Sequence, residues 1–94
     1  MARQRSTHWR VFFRRRVEKS VTLMPRREQV LFANLVEDLQ RKGPIRAEWR
    51  NFSKLSENQY HCHISYSWVA CWRVVQKALE IEVYYAGSRE NAPY

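Results

Sequence analysis

Between Asn58 and Val75 the sequence reads NQYHCHISYSWVACWRVV, which places His61 and His63 two residues apart with Cys62 between them and Cys71 further on. In an extended strand, successive side chains alternate between faces. The two imidazoles then share one face, with their Cα atoms roughly 6–7 Å apart. Imidazole titrates near neutral pH, so such a pair can serve as acid and base in proton transfer. The same pair can begin a metal site, but that needs at least a third ligand. His8 is remote in sequence and Cys62 points to the opposite face, so only Glu80, Glu82 or Cys71 remains to complete one. The plainest alternative is two polar residues on the wet side of a strand.

A second group lies in YYAGSRENAPY, at residues 84–94. A strand ending at Gly87 leaves Arg89 and Tyr94 near the rim of whichever face the histidines occupy. Guanidinium is suited to bidentate phosphate contact. Phenol can stack on a base or share a proton. The competing reading is a frayed tail carrying a solubilising arginine.

These residues need a scaffold, and the hydrophobic pattern supplies one. HWRVFFRR favours a first strand through its Trp, Val and Phe residues. Val17, Val21 and Met24 recur at helical spacing, so a short helix is expected before Pro25. PRREQVLFANLVEDLQRKG carries an apolar stripe of Val30, Leu31, Leu35, Val36 and Leu39, predicting a helix over residues 25–42. Arg41 and Lys42 in its last turn suit the helix dipole, Gly43 suits a left-handed stop, and Pro44 prevents continuation. GPIRAEWRNFSKLSENQ reads as a polar connection with a short strand around Trp49 to Lys54. Three strands follow: QYHCHISY, WVACWRVV and ALEIEVYYAG, with Gln76 and Lys77 as a tight connection between the last two. Tyr60, Cys62 and Ile64 alternate with the histidines, and Leu79, Ile81 and Val83 alternate with Glu80, Glu82 and Tyr84. The expected fold is α+β: an N-terminal strand, one or two helices, then a 3–4-stranded antiparallel meander with helices on one face. The other face is expected to be wet, concave and available.

Ninety-four residues predict one domain, residues 1–94, with a modest core enriched in bulky Trp and Tyr. Met1 to Thr7 read as a loose basic lead-in. Lys and Arg number 17 against nine Asp and Glu, a formal charge of +8. That balance favours a polyanionic partner, nucleic acid first, then an anionic membrane or an acidic protein. No apolar run is long enough to cross a bilayer or act as a secretion signal. Two cysteines without a C-x-x-C spacing are too few for a disulfide framework, so both are expected reduced in a cytoplasmic protein.

Taken together, the PRREQVLFANLVEDLQRKG helix, the SKL…QYHCHI and WVACWRV strands and the ending IEVYYAGSRENAPY resemble the RelE/ParE superfamily of bacterial toxins, in its RelE/HigB-like subgroup. The resemblance covers nearly the whole chain. It implies a ribosome-dependent messenger-RNA endonuclease of a type II toxin–antitoxin pair. Cleavage in that family proceeds by attack of a ribose 2′-OH on its neighbouring phosphate, with no metal or cofactor. By the same resemblance His61 and His63 stand where RelE has two lysines, and are implied as general base and acid. Arg89 matches the arginine after the last strand, and Tyr94 the terminal tyrosine that stacks or relays a proton. Where RelE has an arginine early in the next strand this chain has Val69; Arg73, four residues on, is the candidate to supply that charge. Lys54 is a secondary phosphate contact, and Arg14, Arg26 and Arg27 are candidate RNA contacts. Glu82 is expected in a salt bridge to Arg73. Implied partners are a cognate antitoxin, messenger RNA in the ribosomal A site and, through the antitoxin, operator DNA. The rival readings are a ParE-like gyrase inhibitor, a non-catalytic basic nucleic-acid-binding module, and a toxin that has lost activity at the Val69 position.

Overall fold

A computed structural model describes residues 8–75 and 79–94, so the Met1 to Thr7 lead-in and the Gln76–Lys77 connection lie outside the described residues. The element order is β1 (Arg10–Phe12), α1 (Arg15–Thr22), α2 (Arg26–Lys42), β2 (Ser53–Ser56), β3 (Gln59–His63), β4 (Trp68–Val75) and β5 (Glu80–Ser88), closed by a 3-10 turn at Arg89–Asn91. The strands make one sheet in the order β1-β5-β4-β3-β2. The meander from β2 to β5 is antiparallel as expected. The first strand adds a feature that alternation could not place, since β1 pairs parallel to β5, making the sheet mixed.

The helix α2 buries Glu28, Phe32, Leu35 and Leu39, one residue per turn along one face. Val30, expected in the stripe, is 52% exposed, and Phe32 takes the core position instead. Two residues along a helix is roughly 200° of rotation, so Val30 and Phe32 cannot share a face. Leu31 and Val36 flank the buried row as half-buried neighbours of the core. Val17 of α1 and Met24 beyond it join that core, with Val21 packed alongside.

Gly43 stops α2, but not in the left-handed helical conformation expected of it. Its φ is 92° and its ψ −171°. The following Pro44 disfavours helical ψ in the residue before it, so ψ swings to extended values while φ stays positive. Its N–H still donates to the Leu39 carbonyl at 2.9 Å. Arg46 then folds back, its guanidinium donating to the carbonyls of Gly43 at 2.9 Å and Lys42 at 3.3 Å. It thereby satisfies carbonyls near the helix end.

The core lies between the helices and one face of the sheet, with Leu35, Leu39, Cys62, Ala70, Trp72, Ile81 and Val83 fully buried. Trp72 is its largest member, and its indole N–H donates to the Pro44 carbonyl at 3.0 Å. Phe52 and Tyr60 pack against it, with centroids 6.1 and 6.4 Å from the Trp72 ring. The connection before β2 therefore contributes to the core; the expected strand there starts later, at Ser53, because Trp49 sits in a turn and bonds Asp38 at 2.9 Å.

A Cβ at Gly43 would stand 2.8 Å from the Trp9 indole nitrogen, in a backbone region that glycine alone occupies readily. Gly43→Ala is expected to cost about 1–3 kcal/mol of folding stability, measured by denaturant unfolding. An unchanged midpoint would show that neither the strain nor the contact matters.

Candidate active site

The β3–β4 ladder sets His61 opposite Cys71 and His63 opposite Val69, and the β4–β5 ladder continues those rows to Tyr85 and Gly87. Directly opposed residues share a face. Ser53 on β2 pairs with His61, so one row reads Ser53, His61, Cys71, Tyr85 on the face away from the helices. Tyr60, Cys62 and Ile64 take the core face, as the alternation requires.

A bulge in the β4–β5 ladder moves the register from Cys71↔Tyr85 to Trp72↔Val83, leaving Tyr84 as the extra residue. Tyr84 and Tyr85 consequently both sit on the histidine face, and Ala86 returns to the core at 1% exposure. The Tyr84 hydroxyl donates to Gln59 Oε1 at 3.2 Å, while the Tyr85 hydroxyl donates to the Ser88 carbonyl at 2.7 Å. A Cβ at Gly87 would lie 2.9 Å from that Tyr85 oxygen. Glycine there leaves room for the phenol to fold back over the strand.

The two imidazole centroids are 5.8 Å apart. Ser53 Oγ is 2.9 Å from His61 Nδ1, which leaves His61 Nε2 for another partner. After the 3-10 turn the chain crosses the face, and the Tyr94 ring comes to 4.3 Å from the His61 ring. The expectation of a wet, available face fails at this point. His61 is 8% and His63 9% exposed, because Tyr94, the neighbouring strands and the chain around Arg50 enclose them.

Enclosure has an electrostatic consequence. Burial first, then the neighbouring His63, holds the His61 pKa below its ordinary value of 6.5. His63 is lowered by burial, then by the Arg89 and Arg50 guanidiniums. Burial raises the Tyr94 phenol above 10.0, with Cys71 adding and Arg89 opposing. Cys71 and Cys62 are pushed up to about 12, mainly by burial, so both stay neutral thiols. Near neutral pH the site thus holds two uncharged imidazoles beside a protonated phenol.

The arginines divide into separate groups. Arg73 lies over the Tyr84 ring at 4.3 Å, with its Nε 3.4 Å from Glu82 Oε1. The other Glu82 oxygen takes a hydrogen bond from Arg14 Nε at 3.2 Å. Arg14, Arg16, Arg73 and both tyrosines line a cavity of about 490 Å³, which Asn91 and Pro93 border on the side leading to Tyr94. Arg89 instead stacks over Tyr66 at 4.8 Å, at the end of the sheet. Arg27 lines a different cavity near that end, and Arg26 stands exposed beside it in α2. Lys54 pairs with Tyr60 rather than with a histidine, which places it on the opposite side of the ladder from His61. His61, His63 and Tyr94 therefore come together, Arg73 and Arg14 share a neighbouring cleft, and Lys54, Arg26 and Arg27 lie apart. Among the described residues, no three His, Cys, Asp or Glu side chains converge as a metal-binding group.

Sequence reasoning passed over Ser53, Tyr84 and Tyr85. The consecutive aromatics in VYYAG break the period of two within a strand, which is the available signal of a bulge. Ser53 carries no comparable signal, since its position depends on register.

No protein-family model and no curated protein matches the chain. Solved structures do match it in fold. The archaeal RelE–RelB complex from Pyrococcus horikoshii OT3 contains a chain with TM-score 0.72 and 16% identity, covering 92% of this chain and 100% of that one. A metal-bound toxin from Helicobacter pylori gives 0.67 at 11% identity, covering 87% and 96%. The YoeB–YefM complex from Staphylococcus aureus gives 0.66 at 11% identity, covering 86% and 97%. Two helices on a five-stranded mixed sheet thus make an α+β fold that matches these RelE-like toxin structures.

Proposed function

We propose that this chain, as one domain, is the toxin of a type II toxin–antitoxin pair and cleaves messenger RNA in the ribosomal A site without a metal or cofactor. The observation that carries this reading is the buried pair His61 and His63 beneath the half-exposed Tyr94 ring on a RelE-like sheet. A neutral imidazole takes the proton of a ribose 2′-OH as that oxygen attacks the adjacent phosphorus. The bond to the 5′-oxygen breaks, and the leaving oxygen needs a proton. The second imidazole, once protonated, or the Tyr94 phenol supplies it. Cleavage leaves a 2′,3′-cyclic phosphate and a 5′-hydroxyl. Arg73 and Arg89 offset charge on the phosphate, and Arg14, with Arg26 and Arg27 further off, holds flanking RNA by charge. Before the reaction, Tyr94 must yield ground to a nucleotide, its ring giving up the His61 face or sharing it with a base.

Two of the structures of like fold are the complexes RelE–RelB and YoeB–YefM. By analogy the partner proposed here is an antitoxin whose acidic or amphipathic segment covers the basic cleft and connects the pair to operator DNA. Residence in the cytoplasm follows from a ribosomal target.

Induced expression of the wild type is expected to arrest growth, with primer extension showing cuts inside translated codons. His61→Ala/His63→Ala should lower cleavage by roughly 10²–10⁴-fold or more. Growth arrest without RNA cuts, equally strong in the double variant, would replace the nuclease with a gyrase-directed or purely binding mechanism.

Acidity offers a second check. With both histidines held below 6.5, the base form persists into mildly acidic solution, and the acidic limb of the rate profile should lie beneath that value. Arg89→Ala removes a positive charge that disfavours the His63 imidazolium, so the His63 pKa should rise. NMR titration of the imidazole should show this shift, with the acidic limb of the rate profile moving to higher pH. An unmoved titration would show that Arg89 does not act on His63.

A further inference from the structure

Residues 65–68 form a tight turn between β3 and β4, with the Trp68 N–H bonded to the Ser65 carbonyl at 3.4 Å. Such turns favour Gly, Asn, Asp, Ser or Pro at their tips. Here a tyrosine occupies the tip, and Tyr66 is 69% exposed. It contributes nothing to the core cluster, so folding does not explain the choice. Its position is nonetheless fixed. Ile64 and Ser65 donate to the Trp68 carbonyl at 2.7 and 3.1 Å, and Arg89 N–H donates to the Ser67 carbonyl at 2.8 Å. The Arg89 guanidinium covers the Tyr66 ring from 4.8 Å.

Tyr66 also forms the shared wall of two cavities. One, of about 520 Å³, includes Arg27 and Arg50; the other, of about 430 Å³, includes Arg89. Their three guanidiniums outnumber two carboxylates, Glu28 and Glu90, and Glu28 is itself 8% exposed. The site adjoins the histidines, because the His63 N–H donates to the Arg50 carbonyl at 2.8 Å. An aromatic backed by guanidinium and flanked by further arginines is the arrangement that stacks a base and grips its phosphates.

We propose that Tyr66, backed by Arg89, is a stacking platform for a nucleotide flanking the one cut at His61 and His63, with Arg50 and Arg27 holding its phosphates. This rests on the reading of the histidine face as an RNA site, and it assigns Arg89 to two tasks, charge near His63 and support of the platform. The RNA strand then leaves the histidine face over the end of the sheet at the β3–β4 turn. Every base has a π-face, so the platform tolerates any base and sets affinity more than sequence preference.

Fluorescence anisotropy with a short single-stranded oligonucleotide, its riboses 2′-deoxy so that it cannot be cut, tests this directly. Tyr66→Ala is expected to weaken binding roughly tenfold, and Tyr66→Trp to retain it. Because Tyr66 is exposed, both variants should melt with the wild type. His61→Ala/His63→Ala should keep the same dependence on Tyr66. Equal affinity of Tyr66→Ala and wild type overturns the platform, and leaves Tyr66 to a protein contact. Failure of the wild type to bind the oligonucleotide overturns it as well. If binding depends on Tyr66 but no RNA is cut, the platform stands and the nuclease reading falls. If Tyr66→Ala binds and cuts like the wild type, only the platform falls.

Discussion

A slip of one residue in the β3–β4 ladder would turn His61 and His63 into the core and present Cys62 and Tyr60 to the other face. Everything proposed for this chain depends on that register. It is held by the pairing of five consecutive residues, Gln59 to His63, with Arg73 to Val69. It is held more firmly by what a slip would bury, since two imidazoles would enter an apolar layer beside Trp72. The bulge at Tyr84 is the second half of the same constraint. It turns one strand position into two that face the cleft, and it leaves β5 long enough to carry Arg89 to the end of the sheet.

Electrostatics then differentiates the parts of that face. Around the histidines, enclosure removes charge. Around Arg73 it is concentrated, because Glu82, with a side chain 12% exposed, is shared between two guanidiniums, those of Arg14 and Arg73. A polyanion crossing the sheet would meet a pair of uncharged imidazoles flanked by cationic ground. The overall charge of +8 is thereby distributed in a way that formal counting does not reveal.

Much of this was legible from residue order, for identifiable reasons. Periods of 3.6 and two are direct consequences of backbone geometry, so α2 and the β3, β4 and β5 strands could be read from apolar spacing. The same alternation put His61 and His63 on one face, and the expected bridge between Glu82 and Arg73 is present. The end of β5 at the sheet rim put Tyr94 only near the histidine face, and its ring contact with His61 has no counterpart in the spacing. What could not be read depends on distant partners. Phe32 displaced Val30 because the sheet selects which side of α2 is inward. The parallel pairing of β1 with β5 has no local signature. Lys54 and His61 are seven positions apart in the sequence, and only the β2–β3 register places them on opposite sides. The depth of the histidines likewise depends on where the C-terminal segment crosses the sheet.

The position of β5 also governs the order in which the molecule can be built. It is interior to the sheet, joined to β4 on one side and to β1 on the other, with Arg10 aligned to Glu80 across 70 residues of chain. During synthesis the helices emerge first, while the strand that links the N-terminal segment to the meander does not yet exist. Contacts of such long sequence separation form slowly, and the apolar side of α2 stays uncovered until they do. Assembly of the full sheet, and with it the gathering of Tyr94 onto His61, therefore waits until β5 has been made. A growing polypeptide holds the two imidazoles before it holds the strand and the tyrosine that enclose them.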